Sequence, residues 1–135
     1  MMEWKLEVVS IPVADADRAK HFYAEQLGFV VDLDTPISDD IRLVQLTPPG
    51  SGCSIHLNSG LRKMPPGMLE GLVLMVADIA AAREHLVAGG VDVSPVRHME
   101  AGEWVDGPGG DWNSFMFFSD PDGNAWTVQE RPSSG

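Results

Sequence analysis

A weak internal repeat constrains the fold of this chain more than any other feature of its sequence. The tripeptide Val-Ala-Asp occurs at residues 13–15 and again at residues 76–78. A strand-like apolar run precedes each copy, and a segment with apolar residues at helical spacing follows it. Since an aspartate carboxylate can accept the free amide hydrogens of a first helical turn, Asp15 and Asp78 are predicted to cap two helices. The recurrence of strand, cap and helix in one order predicts two copies of a single module.

Each copy of the repeat continues with three further strand-like segments. Helices are predicted over residues 15–27 and 78–88, and each is followed by glycine. Strands are predicted over residues 6–11, 29–33, 41–47, 53–58, 72–76, 91–96, 114–118 and 125–130. Residues 99–113 are predicted to form a long connection. The predicted fold class is therefore α+β, with two tandem βαβββ modules.

The length of the chain fits one domain, since 135 residues can bury a core without covalent staples. We expect a single domain over residues 1–135. Its modules are expected at residues 1–59 and 69–131, joined by a linker at residues 60–68 that is rich in proline and glycine.

Composition and charge exclude several classes of protein. Hydrophobic residues make up 44% and charged residues 21%, which are ordinary globular values and exclude a disordered or fibrous chain. Cys53 is the single cysteine, so an intramolecular disulfide and a cysteine-rich zinc module are excluded. The net charge of −11 opposes binding to nucleic acid and to anionic membranes, and neither is expected as a partner. The N-terminus shows no apolar signal region, and the expected location is the cytoplasm.

Three motifs resemble a known superfamily. They are Ile-Pro-Val-Ala-Asp-Ala-Asp-Arg-Ala at residues 11–19, Phe-Tyr at 22–23 followed by Leu-Gly-Phe at 27–29, and Phe-Ser-Asp-Pro-Asp-Gly-Asn at 118–124. With the paired modules, they resemble the vicinal oxygen chelate superfamily, which includes glyoxalase I, bleomycin-resistance proteins and extradiol dioxygenases. The resemblance implies that the two modules form a curved mixed sheet around one cavity, which holds a ligand.

The resemblance also implies where a metal would bind, because the family usually places one ligand on the first and last strand of each module. In this chain those positions hold Val8, His56, Gly71 and Thr127. Only His56 carries a normal metal ligand, whereas a transition-metal site needs about three or more such groups. The chain is therefore expected to bind no metal and no other cofactor.

Strand alternation predicts which side chains face the cavity. Apolar residues such as Ile11, Ile55, Leu57, Trp126 and Val128 are expected to meet the module helices, so their strand neighbours are expected to line the cavity. The predicted lining comprises Leu6, Val8, Ser10, Ser54, His56, Val73, Met75, Thr127 and Gln129.

Two histidines are candidates for chemistry. A neutral His56 ring could act as a general base, or hydrogen-bond a ligand carbonyl or phenol. The alternative is a histidine partly exposed on a strand and hydrogen-bonded locally. His98 follows the sixth predicted strand and could reach the same cavity, whereas His21 and His85, on the helices, are expected to be solvated.

Two tryptophans flank the glycine-rich stretch of residues 107–110. Trp104 and Trp112 could stack on an aromatic ligand, because indole offers a flat apolar face and one donor. The alternative is that they cover the open end of the core or a dimer interface.

Three functions remain open from the sequence. The favoured one is metal-free binding of a small, largely apolar or aromatic molecule by a homodimer, as the resemblance to bleomycin-resistance-type members implies. The second is a metal-independent lyase or isomerase, with His56 as general base and Ser54, Thr127 or Gln129 steadying an oxyanion. The third is the metal-dependent glyoxalase or dioxygenase chemistry of the superfamily.

Overall fold

Each half of the chain forms one mixed β-sheet with a helix packed against it in the computed structural model, which describes residues 2–59 and 64–132. The chain divides into two units. The first comprises Met1–Leu69 together with Asp120–Asn124, and the second comprises Glu70–Ser119 together with Ala125–Gly135. Within residues 2–59 and 64–132, every helix is too short or too polar to span a lipid bilayer.

The first unit contains a four-stranded sheet. Its elements are β1 (Val8–Pro12), α1 (Ala16–His21) with a π-helical extension (Phe22–Gln26), β2 (Val30–Pro36), β3 (Arg42–Thr47) and β4 (Ser54–Asn58). The strand order is β1-β4-β3-β2, in which β1 and β4 are parallel and the other pairs are antiparallel.

The predicted helix over residues 15–27 is confirmed, with a change of pitch in its second half. The Asp15 carboxylate accepts the amide hydrogen of Arg18 at 3.1 Å and so caps the first turn. From Phe22 onward the helix widens, and the Leu27 amide donates to the Phe22 carbonyl at 3.0 Å. Gly28 follows at φ 86°, a conformation that glycine adopts without strain.

Ion pairs tie α1 to the far edge of the first sheet. The Asp34 carboxylate on β2 contacts Arg42 at 2.7 Å and Lys20 at 2.6 Å, and Arg42 also reaches Asp17 at 2.5 Å. The Arg42 guanidinium, with help from the Lys20 ammonium, holds the pKa of Asp34 well below its usual range.

The second unit contains a five-stranded sheet. Its elements are β5 (Leu72–Val76), α2 (Ile79–Ala88), β6 (Arg97–Glu100), β7 (Glu103–Asp106), β8 (Phe115–Ser119) and β9 (Ala125–Glu130). The strand order is β5-β9-β8-β6-β7, so its first four strands repeat the order of the first sheet. Asp78 caps α2 by accepting the Ala81 amide hydrogen at 3.0 Å, as predicted.

Two predictions for the second half are wrong. Residues 91–96 form no strand, and the connection predicted over residues 99–113 contains β7 as part of a β-hairpin with β6. Pro95 has no amide hydrogen to donate to a ladder, and the Ser94 hydroxyl accepts the Phe117 amide hydrogen at 2.9 Å in place of a backbone carbonyl. Ala101 at φ 52° and Gly102 at φ 80° form the hairpin turn, which the sequence signals poorly because alanine rarely adopts this conformation.

The turn between β8 and β9 belongs to the first unit, and buried polar groups hold it there. The Asp120 carboxylate accepts the Tyr23 hydroxyl hydrogen at 2.7 Å, and the Asn124 side chain donates to the Pro12 carbonyl at 2.9 Å. Asp122 accepts from the Ala14 amide at 3.1 Å and from Arg18 at 2.8 Å. The Asp-Pro-Asp-Gly-Asn turn is thus confirmed as the connection between the last two strands.

Alternation along the strands sorts side chains onto two faces of each sheet. The face toward the helix is buried and apolar, with Leu46, Ile55 and Leu57 in the first unit and Met116 and Trp126 in the second, each at most 4% exposed. We call the other faces the first and second open face. The first carries Val8, Ser10, Asp32, Gln45, Thr47, Ser54 and His56, and the second carries Val73, Met75, Arg97, Met99, Trp104, Phe115, Phe117, Thr127 and Gln129.

Candidate functional site

His56 lies at the centre of the first open face. It is half-buried on β4, between Ser10 of β1 and Gln45 of β3 in the register of the sheet. The imidazole Nε2 atom is 2.8 Å from Gln45 Oε1. Gln45 therefore orients the ring, and the sheet presents the imidazole beside the Ser10 hydroxyl.

A chain of hydrogen bonds crosses three strands of this face. Asp32 on β2 accepts from Gln45 Nε2 at 3.4 Å and from the Thr47 hydroxyl, both on its Oδ2 atom. The Thr47 hydroxyl lies 2.6 Å from that of Ser54. Sequence reasoning missed Asp32, Gln45 and Thr47 as site residues. Gln45 and Thr47 could have been found, because they alternate with apolar residues along β3 in the same way as His56 does along β4.

A small cavity lies at one end of this open face. It has a volume of about 280 Å³ and is lined by Ser10, Pro12, Asn58 and Met64. Its size approaches the lower end of the range for small-molecule pockets. Of the predicted site residues, Ser10 lies in its wall.

The second open face is apolar and aromatic. Thr127 pairs with Val73 on one side and Phe117 on the other, and Gln129 pairs with Met75 and Phe115 in the same way. Val73 and Met75 are 52% and 48% exposed. This face therefore leaves apolar side chains in contact with water.

Trp104 extends this aromatic surface from the hairpin. Its ring lies edge-on to Phe115 and Phe117, at centroid distances of 5.3 Å and 5.1 Å, and is 47% exposed. Edge-to-face pairs of this kind hold an indole in a defined orientation.

The backbone conformation of Trp112 and a hydrogen bond to its carbonyl fix the position of this residue. The residue adopts φ 63°, and its carbonyl accepts the Gln129 side-chain amide at 2.8 Å. Gln129 thereby anchors the segment that leads into β8, while the Trp112 side chain is exposed. The Gln129 side-chain amide, which the sequence predicts to contact a ligand, is thus hydrogen-bonded to the backbone.

A larger cavity of about 470 Å³ lies within the second unit. Its lining comprises Asp92, Ser94, Phe117, Phe118, Ser119, Ala125, Trp126 and Thr127. Of the predicted site residues, Thr127 lies in its wall.

His98 lies on the opposite side of β6 from Met99, which pairs with Trp104 on the second open face. Its Nδ1 atom is 2.8 Å from the Gly107 carbonyl oxygen, and its Nε2 atom is 3.2 Å from the Glu100 carboxylate. The Gly107 carbonyl and then Glu100 raise the pKa of His98, because both favour the charged ring. This placement favours a role in holding the β6–β7 hairpin.

The hairpin is expected to loosen as the pH rises. A raised folded-state pKa means that the His98 contribution to stability is fully present below the unfolded pKa of about 6.5 and is lost as the pH rises through the folded value. Amide hydrogen exchange in β6 and β7, corrected for its intrinsic pH dependence, should show lower protection at pH 8 than at pH 6. The His98→Gln variant should lose this difference between the two pH values, and the exposed His21→Gln control should keep it. If both variants behave alike, His98 does not hold the β6–β7 hairpin.

The observed architecture defines a class of α+β proteins in which two modules repeat one strand order and each packs a helix on one face of its sheet. A family model described as Glyoxalase/Bleomycin resistance protein/Dioxygenase superfamily matches residues 5–128, and the chain belongs to that superfamily. The resemblance seen in the sequence and the predicted fold class are both confirmed.

Several solved and curated proteins are similar over nearly their whole length. TnmS3, an antibiotic binding protein from Streptomyces sp. CB03234, is 34% identical with a TM-score of 0.78, over 97% of this chain and 98% of that one. A glyoxalase/bleomycin resistance protein from the same strain is 35% identical with a TM-score of 0.73, over 93% of this chain and 99% of that one. The uncharacterized protein YetH of Bacillus subtilis (strain 168) is 24% identical over 128 residues, which are 93% of this chain and 98% of that protein.

The residues at the superfamily's usual ligand positions do not fit a chelated metal. Among Val8, His56, Gly71 and Thr127, only His56 supplies a nitrogen or carboxylate donor. In residues 2–59 and 64–132, no group of three or more His, Cys, Asp or Glu side chains could hold a metal ion.

Proposed function

We propose that the protein binds a small, largely apolar or aromatic molecule without a metal ion. The observation that carries the proposal is the second open face, where Trp104 stands against Phe115 and Phe117 beside half-exposed aliphatic side chains. Apolar area that is exposed in the free protein gains about 25 cal/mol for each Å² that a ligand removes from water. Thr127, in the same row as Val73 and Phe117, offers a hydroxyl that can orient such a ligand.

A similar protein and the net charge of this chain both indicate which kind of ligand to test. TnmS3 is described as an antibiotic binding protein, and its 34% identity over 97% of this chain supports an antibiotic-like ligand here. The net charge of −11 disfavours anionic ligands and favours neutral or cationic ones. Bleomycin, which the superfamily description mentions, is therefore one probe, and 2-naphthol is a simpler aromatic one.

Calorimetric titration with these two probes tests the proposal. We expect saturable binding of at least one probe, and an affinity loss of about tenfold or more in Trp104→Ala and in Val73→Asp, because both remove apolar contact with the ligand. Trp4→Ala is the control, since Trp4 is 86% exposed near the N-terminus. Absence of saturable binding, or an equal loss in the control, would overturn the proposal. Circular dichroism of each variant separates loss of contact from loss of fold.

The purified protein is expected to carry no stoichiometric transition metal, because the superfamily's ligand positions supply one donor side chain instead of about three. Elemental analysis should give well below one metal per chain. A metal that is present at about one per chain and resists chelator would contradict this expectation.

A homodimer is also proposed, since superfamily members often pair and large apolar side chains outside the second open face, such as Ile37 and Val87, are exposed as well. Light scattering coupled to gel filtration should then give twice the chain mass of 14.6 kDa. A mass of one chain at micromolar concentration would refute the dimer.

Metal-independent lyase or isomerase activity is a second candidate function. The observation in its favour is the Gln45 contact to His56 Nε2, because catalytic bases are commonly oriented by a further hydrogen-bonding group. In a turnover screen, His56→Ala should lower any catalysed rate by about a hundredfold with little change in folding. A variant that turns over as the parent does would exclude His56 as the base.

A further inference from the structure

The cavity of about 470 Å³ in the second unit carries a single charge in its wall. Of the described residues that line it, Asp92 alone is charged, and the others bear aromatic, methyl or hydroxyl side chains. The volume lies within the range of small-molecule pockets. Such a wall offers an apolar molecule most of its contact area and offers a cation one specific partner.

Asp92 is held at this wall by the segment that carries it. Its neighbours Val91 and Val93 are buried, at 6% and 8% exposed. The Ser94 amide donates to the Phe117 carbonyl at 2.9 Å, and the Phe117 amide donates to the Ser94 hydroxyl at 2.9 Å. Because these contacts fix the backbone on both sides of Asp92, little further ordering is needed when a ligand binds there.

The Asp92 carboxylate has no cationic partner within the part of the chain that the structure describes. It forms no ion pair there with a lysine, arginine or histidine. Arg83 on α2 is directed at the backbone instead, since its Nε atom donates to the Ser94 carbonyl at 3.0 Å and a terminal nitrogen donates to the Val93 carbonyl at 3.5 Å. The charge of Asp92 is therefore available to a ligand.

Phe117 connects the cavity to the aromatic surface around Trp104. Its ring centroid lies 5.1 Å from that of Trp104, and the same residue lines the cavity. Thr127 likewise belongs both to the second open face and to the cavity wall. The face of an aromatic ring also attracts a cation. An apolar ligand on this surface can therefore extend a positively charged group toward Asp92.

We infer that the second unit selects aromatic ligands that carry an ammonium group, and that Asp92 is the residue that pairs with this group. The inference rests on the proposed function and deepens it, because it names the charged group of the ligand and its partner in the site. A hydrogen bond between an ammonium and a carboxylate is about twice as strong as one between neutral groups. A neutral analogue lacks this gain, and an anionic analogue is repelled.

Three matched naphthalene derivatives test the selection. At pH 7, 1-naphthylmethylamine is a cation, 1-naphthylmethanol is neutral and 1-naphthylacetate is an anion, and all three share one ring system. We expect calorimetric titration to show about fivefold tighter binding of the amine than of the alcohol, and the weakest binding for the anion. The preference should shrink in about 0.5 M salt, which screens partly exposed charges. Equal affinities for the amine and the alcohol would overturn the inference.

Substitution of Asp92 tests its part in the selection. Asp92→Asn keeps the size of the side chain and removes its charge, so the amine should lose its advantage while the affinity for the alcohol changes little. Asp111→Asn is the matched control, because it removes one exposed aspartate of the same unit outside the cavity wall and should keep the full preference. A preference that is unchanged in Asp92→Asn, or reduced equally in both variants, would refute the role of Asp92.

The position of the amine can be measured independently of any substitution. Amide chemical shifts of the ¹⁵N-labelled protein should change on addition of 1-naphthylmethylamine at residues 92–94 and 117–119, which border the cavity. Changes confined to residues outside the second unit would refute the inference.

The outcomes also separate this inference from the proposed function. If the alcohol binds saturably and the amine binds no better, the inference fails and the proposed function stands. If none of the three derivatives binds, and 2-naphthol and bleomycin do not bind either, both fail together.

Discussion

Replacing Asp120 by alanine is expected to lower the free energy of unfolding by about 3–4 kcal/mol. The residue is 5% exposed, and its carboxylate accepts four hydrogens. These come from the Tyr23 hydroxyl at 2.7 Å, the amides of Asp122 and Asn124 at 2.9 Å each, and the Asn124 side chain at 2.8 Å. Alanine would leave several of these donors unpaired away from water, and each such group costs about 1–3 kcal/mol.

Urea denaturation of Asp120→Ala and Asp111→Ala provides the measurement, because Asp111 is an exposed aspartate on the same chain. The control should change stability by no more than about 0.5 kcal/mol. Tyr23→Phe removes one of the four donors and should cost about 1 kcal/mol. Similar midpoints for the two aspartate variants would show that the buried carboxylate does not stabilise the first unit.

Gly67→Ala is expected to destabilise the protein more than Gly50→Ala does. Gly67 adopts φ 82°, and an added Cβ atom would lie 2.1 Å from the backbone oxygen of Asp122. The backbone conformation costs alanine about 1–2 kcal/mol, and relief of the overlap requires a backbone shift that costs about 1–3 kcal/mol more.

Comparison with Gly50→Ala separates the cost of the overlap with Asp122 from the cost of the backbone conformation. Gly50 has nearly the same conformation, φ 84°, and an added Cβ atom would meet nothing within 4 Å. The difference in unfolding free energy between Gly67→Ala and Gly50→Ala, measured by chemical denaturation, should therefore report the overlap alone. Equal losses would show that the segment around Gly67 moves away from Asp122 at no cost.

Most of the fold could be predicted from local sequence signals. The aspartate caps, the strands β5 and β9 and the apolar alternation of β4 each depend on residues that are neighbours in sequence, so period and composition are sufficient to find them. The segment of residues 91–96 was misassigned because it is apolar and alternates like a strand. Its hydrogen bonding is decided by Pro95 and by the side chain of Ser94, which periodicity does not reveal.

Less of the candidate site could be predicted. Alternation placed His56 beside polar neighbours, but the Asp32 contact to Thr47 depends on a register shift between Val31 and Leu33 in β2. Such an irregularity turns a side chain by one position, and no residue pattern in the sequence marks it. The ligand roles predicted for His56 and Trp104 remain predictions, which the turnover and binding experiments above address.

The membership of Asp120–Asn124 in the first unit bears on how the protein can be divided. Each unit is assembled from two separate stretches of chain, so no single cut yields one complete unit. A fragment that ends at Leu69 would leave the Tyr23 hydroxyl without its carboxylate and the Pro12 carbonyl without the Asn124 amide. During synthesis from the N-terminus, the hydrogen bonds of the first unit can be completed only after β8 has emerged, so its final stability is acquired late although its own sheet is translated early.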